Sequence, residues 1–238
     1  MKQAIIIGAS SGIGWELGVQ LAAKGYQLGL MARREDCLKK LADSLPGTHF
    51  VQTTDVSQAE QAQEELIALI ERMGDVELII VNSGVGSAEK QLDWVIEREM
   101  IDVNIRGFAA MSMVAMNHFV KRGSGHLAGV SSAAAHFSAG LTLTYNASKA
   151  FASNYLNGMR SRAARSKLPI TVTTIEPGFV ETPMLMGTPI WTATVEKGVS
   201  QMVVALEKKK NHVYITKRWA IAARLLDITP NWVIRKFV

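Results

Sequence analysis

The sequence predicts an α/β fold: a single Rossmann-like, doubly wound parallel sheet of about seven strands with helices on both faces. Three observations predict it. Short apolar runs alternate with helical stretches along the whole chain. Four of these runs, 4–7, 28–31, 78–81 and 127–130, contain no polar residue, as befits strands buried on both faces of a parallel sheet. A Gly-rich turn, Gly8-Ala9-Ser10-Ser11-Gly12-Ile13-Gly14, joins the first of these runs to the first helix. No linker rich in Pro, Gly or Ser divides the 238 residues, and 48% hydrophobic content suffices for one core, so residues 1–238 read as a single domain.

The elements follow in order. Residues 4–7 form the first strand, and a helix runs over 12–24. Residues 28–31 are the second strand. The next helix, 35–44, opens with Glu35 and Asp36, charges that suit a helix N-terminus. A third strand at 50–53 leads into a polar helix at 58–72. The fourth strand is 78–81, two helices fill 93–122, and the fifth strand is 127–130. A helix over 144–166 precedes a sixth strand at 170–175, rich in β-branched residues, and 213–216 is the last strand. Alternating strand and helix implies right-handed crossovers.

Charge and composition exclude several classes. The net charge is +5, but residues 207–238 hold eight basic and two acidic residues, so the remainder sums to −1. The basic excess belongs to a tail and is not the aromatic-laced stripe of a nucleic-acid protein. No run of about 20 uncharged apolar residues is present, and the N-terminal apolar run is too short for a signal peptide. A single Cys37 excludes an internal disulfide and fits a reducing, cytoplasmic setting. The five His, with Cys37, show no metal-ligand spacing, so no metal is expected. His136 reads as a structural or surface His. Met100, Met111, Met113 and Met116 read as helix packing or a subunit face.

Two regions carry the chemistry. In Tyr145-Asn146-Ala147-Ser148-Lys149, Tyr and Lys stand one helical turn apart and share a face. An ammonium beside a phenol favours the phenolate, so the spacing predicts a lowered Tyr145 pKa and a proton donor near neutral pH. Ser132 is placed to hold the oxygen that is protonated. Ser131, its strand neighbour, should point to the opposite face. At the other end, the Gly-rich turn lets backbone N–H groups approach a pyrophosphate at a helix N-terminus. The second strand ends in Ala32-Arg33-Arg34. Without a carboxylate for a ribose 2′-hydroxyl, and with two guanidiniums for a 2′-phosphate, this end favours NADP(H) over NAD(H).

With residues 8–14, Asn82-Ser83-Gly84, Asn104, Ser132, Tyr145, Lys149 and Pro177-Gly178 in this order, the chain resembles the short-chain dehydrogenase/reductase family over residues 3–184. The resemblance implies a catalytic tetrad of Asn104, Ser132, Tyr145 and Lys149, with Tyr145 the proton donor. Lys149 would also hold the nicotinamide ribose, and Asn104 would position a water leading to solvent. It further implies cofactor contacts from Gly8, Ser10, Ser11, Gly12, Ile13, Gly14, Arg33, Arg34, Asp55, Val56, Asn82, Ser83, Gly84, Tyr145, Lys149, Pro177, Gly178, Val180 and Thr182. The family's Asn-Asn-Ala-Gly segment stands here as Val81-Asn82-Ser83-Gly84, so any hydrogen bond from its first position is lost. A homodimer or homotetramer is implied in the same way.

The expected activity is NADP(H)-dependent interconversion of a carbonyl and an alcohol. A 3-oxoacyl-carrier-protein reductase is a narrower alternative, and a non-catalytic NADP-binding sensor or scaffold is an alternative of another class. Residues 133–137 and 184–194, with Met186, Pro189 and Trp191, should shape the substrate pocket. They carry no Arg or Lys, which favours a small uncharged or apolar carbonyl compound. Residues 185–195 are a candidate lid. Residues 217–238 read as an amphipathic tail in which Trp219, Ile221, Ala222, Leu225 and Leu226 form one apolar stripe, followed by Trp232, Val233, Ile234 and Phe237. Packing on the domain or on a partner subunit is the leading reading of that tail, and peripheral contact with a membrane surface the lesser one.

Overall fold

A computed structural model describes residues 2–88, 91–185, 191–230 and 232. The chain alternates β1 (Lys2–Ile7), α1 (Gly12–Ala23), β2 (Tyr26–Ala32), α2 (Glu35–Ser44), β3 (Phe50–Thr53), α3 (Ala59–Met73) and β4 (Leu78–Val81). There follow α4 (Trp94–Ile101), a π-helical turn (Asp102–Gly107), α5 (Phe108–Arg122), β5 (Gly125–Val130) and a 3-10 turn (Ala133–His136). The remainder is α6 (Leu143–Ser166), β6 (Ile170–Pro177), α7 (Val195–Glu207), β7 (His212–Ile215) and α8 (Trp219–Ile228). The strands form one seven-stranded sheet in the order β3-β2-β1-β4-β5-β6-β7, and every pairing is parallel.

The core lies on both faces of this sheet, and strand periodicity divides it. Ile5, Ile7, Ile79 and Val81 point to one face, onto Leu66, Leu69, Met111, Phe119 and Leu156 of α3, α5 and α6. Their neighbours Ala4, Ile6, Leu78 and Ile80 point to the other, onto Leu17, Leu21, Leu38, Leu41, Met202 and Val203 of α1, α2 and α7. Successive residues of a strand project oppositely, so an unbroken apolar run feeds two cores. Strand order reverses between β1 and β4, and ligands of such sheets bind at the carboxyl ends of the strands beside that point. Among the described residues no helix is long and apolar enough to cross a membrane.

One helix is added and two local expectations are corrected. Helix α7 was not legible between the sixth and last strands, yet it buries Val199, Met202, Val203 and Leu206. The helices expected over 93–122 are joined without a break by the π turn, which carries Asn104. The single apolar stripe expected in the tail is two faces. Trp219 and Ala223 are buried, whereas Ile221 and Leu225 are exposed, because residues two apart on a helix lie about 200° apart. Residues 186–190 of the candidate lid, including Met186 and Pro189, and Val233, Ile234 and Phe237 lie outside the described residues.

Candidate active site

The floor of the site is the Gly-rich turn between β1 and α1. Gly8 has φ +94°, and a Cβ there would strike the Ser83 backbone N at 2.6 Å. Asn82 locks the same approach, its Nδ2 donating to the Gly8 carbonyl over 2.9 Å. A Cβ on Gly14 would lie 1.9 Å from that carbonyl. Gly12 has φ +54°, and a Cβ there would lie 3.2 Å from Thr182 Cγ2, so the turn faces the loop that follows β6. This loop is closed by a bridge between Val180 and Ala193. Gly, Asn82, Ser83 and Thr182 therefore converge from β1, β4 and β6.

The two arginines after β2 part company. Arg34 donates from NH2 to Ser10 Oγ (2.9 Å) and Ser11 Oγ (2.8 Å), at the start of the Gly-rich turn. Arg33 instead pairs with exposed Glu99, NH1 to Oε1 3.5 Å. Asp55 closes its own turn by accepting from the Ser57 N–H and hydroxyl, at 3.0 and 2.8 Å. Val56 is buried against the π turn, where a Cβ on Gly107 would meet its carbonyl oxygen at 2.4 Å.

The second cluster gathers at the ends of β4 and β5 and on α6. The Ser132 hydroxyl stands beside the Tyr145 phenol, where it favours the phenolate. Ser132 Oγ also accepts from the Ala134 N–H (3.1 Å) and donates to the Pro177 carbonyl (3.4 Å). Lys149 is 7% exposed; its Nζ donates to the Val130 carbonyl over 3.2 Å and lies 5.7 Å from the centre of the Tyr145 ring. A Cβ on Gly84 would sit 3.3 Å from this Nζ, and one on Gly86 3.1 Å from the Tyr145 ring and 3.5 Å from Met184 Sδ. The loop after β4 thus lies directly over Tyr145 and Lys149. Asn104 is buried, and its amide is committed to the Val85 N–H and carbonyl (2.9 and 2.8 Å) and to Ser148 Oγ (3.1 Å). It pins that loop to α6.

The expected lowering of the Tyr145 pKa is not what this geometry gives. Burial raises the phenol above its usual value of 10, and the Ser132 hydroxyl offsets this only in part. Burial likewise pulls Lys149 down, to about 8. Desolvation penalises the charged form of both groups, and sequence spacing carries no information on it.

A set of residues that the spacing did not reveal stands behind this cluster. Glu176, 1% exposed at the end of β6, accepts from His136 (2.7 Å) and His212 (3.1 Å) on Oε2 and from Ser153 (2.6 Å) on Oε1. Burial alone would raise its carboxyl, but these three bonds outweigh it and hold the pKa at about 2. Ser153 Oγ is also 2.8 Å from Ser131 Oγ, which donates to the Lys149 carbonyl over 2.7 Å. Ser131 therefore faces away from Tyr145, as strand alternation requires. Signals for this network were present in the sequence: Ser153 lies one turn beyond Lys149, and Glu176 is an acid at the end of a strand rich in β-branched residues. Asn146 adds a second tie, donating to the carbonyls of Ala134 (3.0 Å) and Phe137 (2.9 Å) and so fixing the loop after Ser132 on α6.

A family model described as short chain dehydrogenase matches residues 2–193. An uncharacterized oxidoreductase of Myxococcus xanthus is 34% identical, with 97% of this chain and 93% of that protein covered. Among solved structures, an alcohol dehydrogenase from Thermococcus sibiricus complexed with 5-hydroxy-NADP aligns with a TM-score of 0.79 at 26% identity, covering 90% of this chain and 95% of that one. A short chain dehydrogenase/reductase from Burkholderia phymatum in complex with NAD shares the fold, with a TM-score of 0.86 at 20% identity over 94% of this chain and 92% of its own.

Proposed function

The chain belongs to the short-chain dehydrogenase/reductase family, and from that premise we propose that it is an NADP(H)-dependent oxidoreductase interconverting a small, uncharged or apolar carbonyl compound and its alcohol. The observation that carries this reading is the meeting of Ser132, Tyr145 and Lys149 under the loop after β4.

The residues present fit a dinucleotide. Gly8, Gly12 and Gly14 leave a floor without side chains at a helix N-terminus, the setting that favours a pyrophosphate. Arg34, held between Ser10 and Ser11, offers a guanidinium and two hydroxyls to a 2′-phosphate. Thr182, Val180 and the segment Asn82-Ser83-Gly84 would line the nicotinamide end. When bound, the cofactor supplies or accepts the hydride.

The protein handles the proton. Tyr145 Oη gives it to the carbonyl oxygen as negative charge grows there, and takes it back in oxidation. Ser132 Oγ, beside that phenol, donates to the same oxygen and stabilises its developing charge. Lys149 supplies positive charge beside the phenol, and its low polarity surroundings strengthen that interaction. Asn104 holds the loop that seats both. Exposed Phe179, Met184 and Trp191, with Ala133, offer an apolar wall to the substrate. Met113, Met116, Phe151 and Tyr155 line a groove of about 670 Å³ between α5 and α6, which suits a subunit contact in a homodimer or homotetramer.

Oxidation of NADPH in the presence of ketones, aldehydes, quinones and acyl thioesters tests the reading. Turnover of one of these classes is expected, with loss of about a hundredfold or more in Tyr145→Phe while NADPH binding, followed by fluorescence, is retained. Near-normal turnover by Tyr145→Phe removes the phenol from the role. NADPH binding without turnover of any carbonyl overturns the enzyme reading.

A further inference from the structure

Helix α8 presents a large apolar surface to solvent. Its inner side is settled: Trp219 is 9% exposed and Ala223 0%, and Trp219 meets the rings of Phe179 and Trp191 edge-on. Outward stand Ile221, Leu225 and Ile228, at 65%, 56% and 78% exposed. At 3.6 residues per turn these three fall within about 60° of one another on the helix. Arg218 and Arg224, both exposed, stand about 60° to either side of that ridge. Lys217 precedes the helix, and Trp232, 65% exposed, follows it.

The placement of charge bears on what covers the ridge. Lys217 and Arg218 sit at the N-terminus of α8, where the helix dipole disfavours cations, so they do not serve the helix itself. Residues 207–238 carry a net +6 against −1 for the remainder of the chain. A second copy packed on this ridge would add its own Lys217, Arg218 and Arg224 to the same seam, like charge on like. A bilayer surface needs no groove shaped to a convex ridge. It takes the aliphatic side chains below the headgroups, while Arg and Lys reach the phosphates and Trp lies at the interface. We propose that α8 is an interfacial helix that rests on an anionic lipid surface, with Ile221, Leu225 and Ile228 inserted and Lys217, Arg218 and Arg224 on the headgroups.

This surface adjoins the proposed pocket. Arg218 donates to the Trp191 carbonyl over 2.7 Å and stacks on its ring, and Trp219 covers Gly178. The proposal stands on exposure and charge and does not depend on the reaction assigned to the site.

Flotation of the full chain with vesicles tests it. Binding to phosphatidylcholine vesicles containing phosphatidylglycerol is expected, about tenfold above binding to phosphatidylcholine alone, and weakened by salt. The triple variant Ile221→Ser, Leu225→Ser, Ile228→Ser should lose binding at every salt concentration. The pair Lys217→Gln, Arg224→Gln should lose only the preference for phosphatidylglycerol. Melting temperatures close to that of the parent show that these surface changes leave the fold intact. Failure of the parent chain to float with either vesicle, or undiminished flotation of the triple-serine variant, overturns the proposal. So does a fall in oligomer size in the triple-serine variant without any vesicle binding by the parent, which assigns the ridge to a second copy. Equal binding to both vesicles overturns the anionic assignment.

Discussion

Arg34 and Arg33 are neighbours in sequence with different surroundings. Arg34 lies on Ser10 and Ser11, whereas Arg33 turns to Glu99. Arg34→Ala is therefore expected to raise the dissociation constant of NADPH about tenfold or more and that of NADH little, as read by fluorescence titration. Equal losses for both cofactors would remove Arg34 from the 2′-phosphate. Glu176 is the other residue whose surroundings set its use. It joins β6, β7, α6 and the 3-10 turn after Ser132 through two histidines and a serine. Removing a buried, fully bonded carboxylate strands its donors, at a cost of about 3 kcal/mol. Glu176→Ala should lower the melting temperature by roughly 10 °C and reduce turnover, because Ser153, which steadies Ser131 on the Lys149 carbonyl, then loses its anchor. Glu176→Gln keeps volume and an acceptor and should recover most of both. Equal behaviour of the two variants in thermal denaturation and turnover would deny the network a positioning role.

At the scale of elements, close approach of backbones builds the site. The Gly-rich turn can touch the β4 loop and α1 only because Gly8 and Gly14 lack a Cβ. Gly14→Ala places a methyl carbon against the Gly8 carbonyl, at a separation no real contact shows. The turn must open, so cofactor affinity should fall about tenfold or more together with a lower melting temperature. Normal NADPH binding by a folded Gly14→Ala variant would show that the turn does not seat the cofactor. The π turn works the same way. It brings Asn104 onto Val85 and lets Gly107 lie on the Val56 carbonyl, consistent with the tendency of π turns to occur at functional sites.

At the scale of the whole molecule, buried ionisable groups set the dependence of stability on pH. His126, 6% exposed in β5, is held by burial at about 4, against 6.5 when unfolded. The unfolded chain therefore binds its extra proton first, and stability is lost as pH falls from about 6.5 to 4. Glu176, at about 2 against 4.5, adds a second loss from about pH 4.5 downward. Lys149 runs the other way. Its folded value of about 8 lies below 10.5, so it costs stability at neutral pH and the cost is relieved between about pH 8 and 10.5. Melting temperatures measured across pH should fall below pH 6.5, and His126→Asn should flatten the portion between pH 6.5 and 4. An unchanged slope in that variant would move the titration elsewhere.

Much of this molecule is local in origin and so can be read along the chain. Unbroken apolar runs dictate strands buried on both faces, and the order of the Gly-rich turn, Ser132, Tyr145 and Lys149 specifies both the fold and the family. Glycines that no side chain could replace mark the places where backbones meet. What depends on contacts between distant segments was decided only by the tertiary structure. The separation of Arg33 from Arg34 depends on Glu99 in α4, and the network on Glu176 depends on β7 and the turn after β5. The pKa of Tyr145 depends on burial more than on Lys149, and the division of α8 into inner and outer faces depends on Phe179 and Trp191. Spacing along a chain determines which side chains share a strand or helix face. Which face is covered, and by what, is set by segments far away in sequence, and burial then fixes the charge and the partners of each group.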